Sequence, residues 1–381
     1  METMEIFDMD RLDFWPDPDR RPRRVVAAMS GGADSTFAAW LLCRAGVEVI
    51  GIHLVMGDFG EPEDGVARCC SRQDARDARR MAELLGIPFY LVAAQEEFRR
   101  EVMLPFAADY ARGLTPNPCV RCNPQIKWRL LLRKARELGA DAVATGHYAR
   151  AVRGPDGRMR LLTGRERRKE QSYFLARLGR EQLESALFPA GGFQKSTVLA
   201  ALRDAGLPVA DKPESQDVCF VGPGGYVAAV EALCGRQPAG EIVDLAGRVL
   251  GRHRGLHRFT VGQRRGAGVS GREPLYVVDL DPARNRVVLG PWEAGFCREA
   301  MVQDMRWLAE PPAPAETVQV LVRYRARAVP ARVEPAGPGR LRVRFEEPQR
   351  AVSPGQAAVF YRGDEVLGGG LLARVPREAG P

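Results

Sequence analysis

The chain has 381 residues, enough for two or three domains, with 45% hydrophobic and 27% charged residues, proportions that exclude a disordered or low-complexity chain. No apolar run reaches membrane-spanning length, and residues 1–20 are acidic and aromatic, without the basic start and apolar core of a secretion signal. Residues 1–23 are therefore read as an N-terminal extension, and a cytoplasmic protein is expected. Its 56 Lys and Arg against 48 Asp and Glu leave a net charge of +8, which permits a polyanionic partner such as RNA without demanding one.

Residues 25–42, VVAAMSGGADSTFAAWLL, set the opening pattern. Val25 to Met29 reads as a buried strand, Ser30-Gly31-Gly32 as a break, and a helix restarts from about Asp34. A strand, a glycine turn and a helix N-terminus make an anion site, because free N–H groups and the positive end of the helix dipole face the turn. The glycines let backbone come close to the anion, and Ser30 and Ser35 add hydroxyl donors. Asp34 would repel phosphate unless it holds Mg²⁺ or caps the helix. The GK[ST] of a Walker A loop and the GxGxxG of a dinucleotide site are both missing here. Residues 47–56 and 87–92 read as further buried strands, with a helix from about Arg72 to Leu85 between them, capped by Ser71. Strands alternating with helices predict a parallel α/β sheet, with ligands beyond the C-terminal strand ends. Leu54 lies at such an end and borders either a nucleotide or only the core.

Residues 98–114 read as a helix, and Thr115-Pro116-Asn117-Pro118 as a stiff turn. The turn presents Cys119 and Cys122, as CVRC, at the mouth of a helix expected from near Pro124. The helix dipole, Arg121 and Lys127 favour a thiolate there. A zinc half-site and a redox pair are the alternatives, although zinc would want a second CxxC that the chain lacks. Residues 141–150, DAVATGHYAR, read as a fourth strand and its loop. Gly146 in it allows close approach of a nucleotide, and His147 is either a polar group at the strand end or a satisfied structural histidine. Arg165, Arg167, Arg168 and Lys169 are read as opening a helix, suited to an RNA backbone or to solvent alone. Cys219, between Val218 and Phe220, reads on its own as a core residue. From about residue 224 the helical patterns fade. A hairpin around 281–285 and strict alternation at Val318, Val320, Val322 and Tyr324 predict two small β modules, the second a barrel.

SGGADS resembles the PP-loop of the ATP pyrophosphatases. The collinear set SGGADS, TPNPCVRCN, ATGHYAR, KEQSYFLARL, KPESQDVCFV, HRFTVGQRRG, RYRARAVPA and SPGQAAVFY goes further. It is similar to the bacterial tRNA-specific 2-thiouridylases, the MnmA family, over about residues 25–373. The resemblance implies an α/β PP-loop parallel-sheet domain (24–223), a central β-rich tRNA-binding module (224–295) and a C-terminal β-barrel (296–381). It implies adenylation by ATP, with Mg²⁺, of the C2 oxygen of the wobble uridine in tRNAs for Lys, Glu and Gln. Persulfide sulfur then replaces that oxygen, giving 2-thiouridine, AMP and pyrophosphate. Cys122 matches the family's nucleophile and Cys219 its persulfide carrier. The implied ATP-binding residues are Ala28, Met29, Ser30, Gly31, Gly32, Ala33, Asp34, Ser35, Leu54 and Gly146. Implied tRNA contacts fall on Asn117, Pro118, Cys119, Lys169, Glu170, Gln171, Arg323 and Tyr324. A cysteine desulfurase or a sulfur-relay protein is the implied donor. The chain departs from the family pattern at Cys119, where the best-known members carry Asp. Two readings stay open: Cys119, Cys122 and Cys219 hold a [4Fe–4S] cluster with one open iron, or Cys119 is a spare thiol.

Overall fold

The run Arg24–Ala28 forms strand β1, and its apolar character follows from its place. It is the middle of a five-stranded parallel sheet, covered on both faces, so Val25, Val26 and Ala27 are at most 1% exposed. The computed structural model describes residues 14–17, 20–57, 72–213, 218–269 and 273–374. The expected Ser71 cap lies outside them. The chain divides into two compact units: residues 1–101, 119–223 and 364–366 in the first, and 102–118, 224–363 and 367–381 in the second.

In the first unit, β1 is followed by α1 (Ala33–Arg44), β2 (Glu48–Val55), α2 (Arg72–Leu85), β3 (Phe89–Ala93) and β4 (Ala142–Ala144). A hairpin of β5 (Ala149–Arg153) and β6 (Met159–Thr163) precedes the last sheet strand, β7 (Ala186–Leu187). The sheet order is β3-β2-β1-β4-β7, every neighbouring pair parallel. The strand order therefore reverses between β1 and β4, and a crevice opens beyond their carboxyl ends, the usual ligand position in such sheets. Phe37, Leu41 and Leu42 of α1 pack in the core with Met81 and Ala82 of α2 and with Val198 and Leu202 of the helix Lys195–Asp204. Phe14 and Trp15 belong to that same core. The expected N-terminal extension thus ends in two aromatic anchors, because burying two large rings outweighs ordering a short segment.

Two local expectations change. The cysteine helix starts at Pro118, not near Pro124: Pro118–Cys122 is helical, Asn123–Lys127 is a wide π turn, and Trp128–Glu137 continues as α-helix. Pro124 has no N–H to donate and crowds the preceding turn, which the wider winding relieves. The basic run at 165–169 is not helical. Arg167 is drawn to Asp364 at 2.6 Å and to the Thr163 hydroxyl at 2.8 Å, which holds the segment against the end of β6. Residues 102–118, inside the stretch 24–223, cluster with the second compact unit. There the Tyr110 ring stacks on Tyr226 at 4.6 Å, and the Thr115 N–H donates to the Pro354 carbonyl at 2.8 Å.

The second unit holds two β modules. A four-stranded sheet runs in the order β10-β11-β8-β9, built from β8 (Gly240–Val243), β9 (Val249–His253), β10 (Tyr276–Asp281) and β11 (Arg286–Gly290). Its β10–β11 hairpin turns through Asn285 at φ 51°, a left-handed position that asparagine tolerates. The second module is a six-stranded barrel of β12 (Phe296–Trp307), β13 (Thr317–Leu321), β14 (Val329–Pro335), β15 (Leu341–Arg350), β16 (Ala357–Arg362) and β17 (Glu365–Ala373). Pairing of β12 with both β15 and β17 closes it. The alternation at Val318 and Val320 points both into the barrel core. Among the described residues, no helix is long and apolar enough to cross a membrane.

Candidate active site

The loop after β1 is built almost entirely from its own backbone and two hydroxyls. Ser30 N–H donates to Ser35 Oγ at 3.1 Å, the two hydroxyls lie 3.1 Å apart, and Ser35 Oγ donates to the Gly32 carbonyl at 3.0 Å. Gly31 sits at φ +78°, and a Cβ there would fall 2.3 Å from the Asp74 carbonyl oxygen of α2. Only glycine meets both demands. A Cβ on Gly146 would lie 2.6 Å from the Asp34–Ser35 backbone. The close approach that requires glycine after β4 is thus that of α1 itself. Ala28 ends β1, Met29 and Ala33 are buried beside the loop, and Leu54 is 8% exposed near the end of β2.

Asp34 does not cap α1; the cap is Gly32, without a side-chain bond. Its Oδ1 instead accepts from Lys195 Nζ at 2.5 Å and from Tyr148 OH at 2.9 Å. This explains how a carboxylate is tolerated in an anion cradle: a lysine balances its charge and a phenol donates a hydrogen bond to it. A second lysine locks the loop from below. Lys212 Nζ contacts Asp74 at 2.7 Å, Asp77 at 2.5 Å and the Gly31 carbonyl at 3.1 Å. Burial works against its charge, but the bonds to Asp74 and Asp77 outweigh this and raise its pKa. Lys195, Lys212 and Tyr148 were invisible as site residues in the sequence, because their partners lie more than a hundred positions away.

His147 follows Gly146 and shares a 2.8 Å hydrogen bond with the Thr145 hydroxyl. Burial, helped by the Lys127 ammonium, pushes its imidazole down to about 3. It is therefore neutral at physiological pH, a hydrogen-bonding group and not a cation. The other expected contact segment is tied to the same place. Gln171 accepts from the Tyr148 N–H at 3.1 Å through its side chain and donates its own N–H to the Tyr148 carbonyl at 3.0 Å. Glu170 accepts from the Ser172 N–H at 2.6 Å, and burial raises its pKa. Lys169 precedes them in the same turn.

Cys119 and Cys122 stand one helical turn apart on the first turn of the helix from Pro118, with Cys122 buried and Cys119 half-buried. Asn123 donates to the Cys119 carbonyl at 3.1 Å. Gln182 takes up the Pro124 carbonyl at 2.7 Å, fixing the wide turn that follows. Cys219, a half-buried thiol, sits in a turn at 218–221 anchored by Phe220, which packs edge-on to Phe98. Residues 214–217 before it lie outside the described residues. Among the described residues, no three His, Cys, Asp or Glu side chains gather as a metal-holding group. Cys119 and Cys122 stand on one helix and Cys219 on a separate turn. In the second unit, Asn117 and Pro118 end the segment 102–118. Arg323 and Tyr324 form an exposed turn between β13 and β14.

Comparison with known proteins agrees with this architecture. The chain matches the family models for a tRNA methyl transferase HUP domain over residues 23–223, a tRNA methyl transferase PRC-barrel domain over 230–291 and an aminomethyltransferase beta-barrel domain over 297–372. It is 50% identical to the tRNA-specific 2-thiouridylase MnmA of Geobacter metallireducens, over 93% of this chain and 98% of that protein. The Chloroflexus aurantiacus protein of the same name is 51% identical, over 92% of this chain and 98% of the relative. That of Rhodospirillum centenum is 46% identical, with 95% of each chain covered. At this identity, sustained over nearly the whole length of such relatives, the chain belongs to the MnmA family of tRNA-specific 2-thiouridylases.

Proposed function

We propose that the chain is a cytoplasmic tRNA uridine 2-sulfurtransferase that uses ATP and a protein-bound persulfide. The observation that carries this reading is the Ser30–Ser35 cradle at the β1/β4 switch point, in a unit that also carries Cys122 and Cys219. The cradle's N–H groups and hydroxyls suit the phosphates of ATP. Asp34 is the carboxylate that would hold Mg²⁺, which neutralises phosphate charge when bound. Lys195 supplies a cation beside it.

The chemistry follows from the leaving group. A uridine C2 oxygen leaves poorly until it is adenylated. In the proposed sequence that oxygen attacks the α phosphorus, pyrophosphate leaves, and N3 gives up its proton. The outer sulfur of a Cys219 persulfide bonds to C2, and the C2–O bond breaks with AMP. The Cys122 thiolate then attacks Cys219 Sγ. The S–S bond cleaves, the thiocarbonyl forms as N3 takes back a proton, and a Cys122–Cys219 disulfide is left for an external dithiol to reduce. A cysteine desulfurase, or a relay protein loaded by one, supplies the persulfide sulfur. The wobble base of tRNA for Lys, Glu or Gln must be unstacked to reach the site. Asn117, Pro118, Cys119, Lys169, Glu170, Gln171, Arg323 and Tyr324 are the proposed tRNA contacts. Cys119 is a neighbouring thiol with no step assigned to it.

The test is anaerobic incubation with ATP, Mg²⁺, a persulfide-loading desulfurase and unmodified tRNA for Lys, read by nucleoside mass spectrometry. Wild type should form 2-thiouridine. Cys122→Ser and Cys219→Ser should each lose it by about a thousandfold or more while still releasing pyrophosphate on addition of tRNA. Thiolation surviving in both variants would refute the sulfur route, and absence of any tRNA-dependent pyrophosphate release would refute the adenylation.

A further inference from the structure

Trp292 lies on the surface of the second unit, 45% exposed, in the short turn between β11 and β12. One face of its indole is covered by Arg350, whose guanidinium carbon stands 3.4 Å from the ring centroid. The same guanidinium lies 4.7 Å from the Tyr276 ring, and Tyr276 meets Trp292 edge-on at 5.1 Å. Phe296, also exposed, sits 6.2 Å from Trp292. The cluster is held in register because Phe296 pairs with Arg350 across β12 and β15. Exposed Trp292 and Phe296 next to each other form a contiguous aromatic patch with a cation behind it, the kind of surface that marks an interaction site.

The cation is not answered. Arg350 Nε and Nη2 are buried without an acceptor, and neither Arg350 nor Arg323 forms an ion pair among the described residues. Burial, and then the neighbouring Arg323 guanidinium, push Arg350 below the ordinary arginine value, against the opposing pull of Tyr276. A guanidinium without a carboxylate partner is a ready contact for an anion. Exposed Leu245, Val249 and Leu250 in the adjoining sheet would suit a protein partner. They do nothing for the guanidinium, and an aromatic face backed by a cation matches the ring-plus-phosphate chemistry of a nucleotide.

We infer that Trp292, Phe296 and Arg350 form a nucleotide-stacking platform on which an unpaired base of the tRNA stacks while its phosphate meets Arg350. The inference rests on the proposed tRNA substrate but adds a contact outside the residues carried over from the family pattern. The platform supplies affinity and orientation; it takes no part in bond making.

The experiment measures binding of the full-length protein to unmodified tRNA for Lys across a salt series, for wild type, Trp292→Ala, Trp292→Phe and Arg350→Met. Trp292→Ala should weaken binding by about tenfold, within the range of one base–aromatic stack, and Trp292→Phe by less. Arg350→Met should weaken binding and lower the salt slope by about one. Tryptophan emission gives a second readout: quenching on tRNA addition should be smaller in Trp292→Phe than in wild type, the other four tryptophans being common to both. Unchanged affinity, slope and quenching in variants that bind ATP like wild type would overturn the platform while leaving the substrate intact, and would turn this face over to a protein partner. A wild-type protein that does not bind tRNA would overturn the substrate reading and the platform with it.

Discussion

Lys195 and Lys212 of the first unit each end on a carboxylate, at 2.5 to 2.7 Å, whereas Arg350 of the second ends on an indole ring. The same net positive chain thus spends its cations in two ways. Around the glycine loop they are used internally: Lys212 joins Asp74, Asp77 and the Gly31 carbonyl, and the loop takes its shape from that knot. In the second unit the Arg350 guanidinium lies against the Trp292 and Tyr276 rings, and Arg362 meets Glu316 where both side chains are substantially exposed. A cation that shapes a catalytic loop must be removed from competition with solvent, while one that meets a polyanion must stay available to it.

The contrast is sharpest at Lys212. Lys212→Met leaves Asp74, 5% exposed, and Asp77 without their common partner. Urea unfolding should show a loss on the order of 3 kcal/mol, with ATP binding weakened in parallel, and Lys212→Arg should recover part of both. A variant as stable as wild type would mean that the loop does not depend on its buried cation. His147 gives a smaller effect with a pH signature. The unfolded imidazole takes up a proton near 6.5, but the folded one not until about 3. Stability is therefore complete above about pH 6.5 and declines as pH falls through that window, by at most about 1.4 kcal/mol per unit. Unfolding measured from pH 7.5 to 5 should be flatter in His147→Gln. Some slope should remain, because burial also depresses His53; an unchanged slope would show that His147 titrates freely. The smallest effect lies in the barrel. Arg362 is bidentate to Glu316, at 2.6 and 3.0 Å, yet both side chains are substantially exposed. Arg362→Ala should cost under about 1 kcal/mol, and a cost comparable to that of Lys212→Met would erase the distinction between the two units.

The parts legible in the sequence are those with short-range signatures. The strand–glycine–helix turn, the parallel alternation and the change to β modules near residue 224 all follow from local period and turn chemistry. The glycine loop could be seen at Ser30–Gly32, and the start of the cysteine helix was displaced by six residues, because Pro118 and Pro124 each offered a plausible first position. What could not be read is long-range. Nothing near Asp34 announces Lys195, 161 positions on, and nothing in the helical pattern of 98–114 says that its later part will stack Tyr110 on Tyr226. The basic run at 165–169 looked like a helix start because its composition allows one; a single acceptor, Asp364, 197 positions from Arg167, decides otherwise. Phe14 and Trp15 escaped notice because two aromatic residues in an acidic segment make no period.

Tyr148 touches the loop with its hydroxyl and Gln171 with both groups of its backbone. One residue is thus shared by the segment proposed to receive ATP and the segment proposed to receive tRNA. Binding free energies linked through such a residue are reciprocal: whatever factor tRNA contributes to ATP affinity by settling Tyr148, ATP must return to tRNA affinity. Tyr148→Phe removes the hydroxyl link but keeps the ring, separating two equilibria that the wild-type chain holds together. The enzyme would then bind each ligand as if the other were absent, and selectivity for the complete substrate pair would fall even if each single affinity were unchanged.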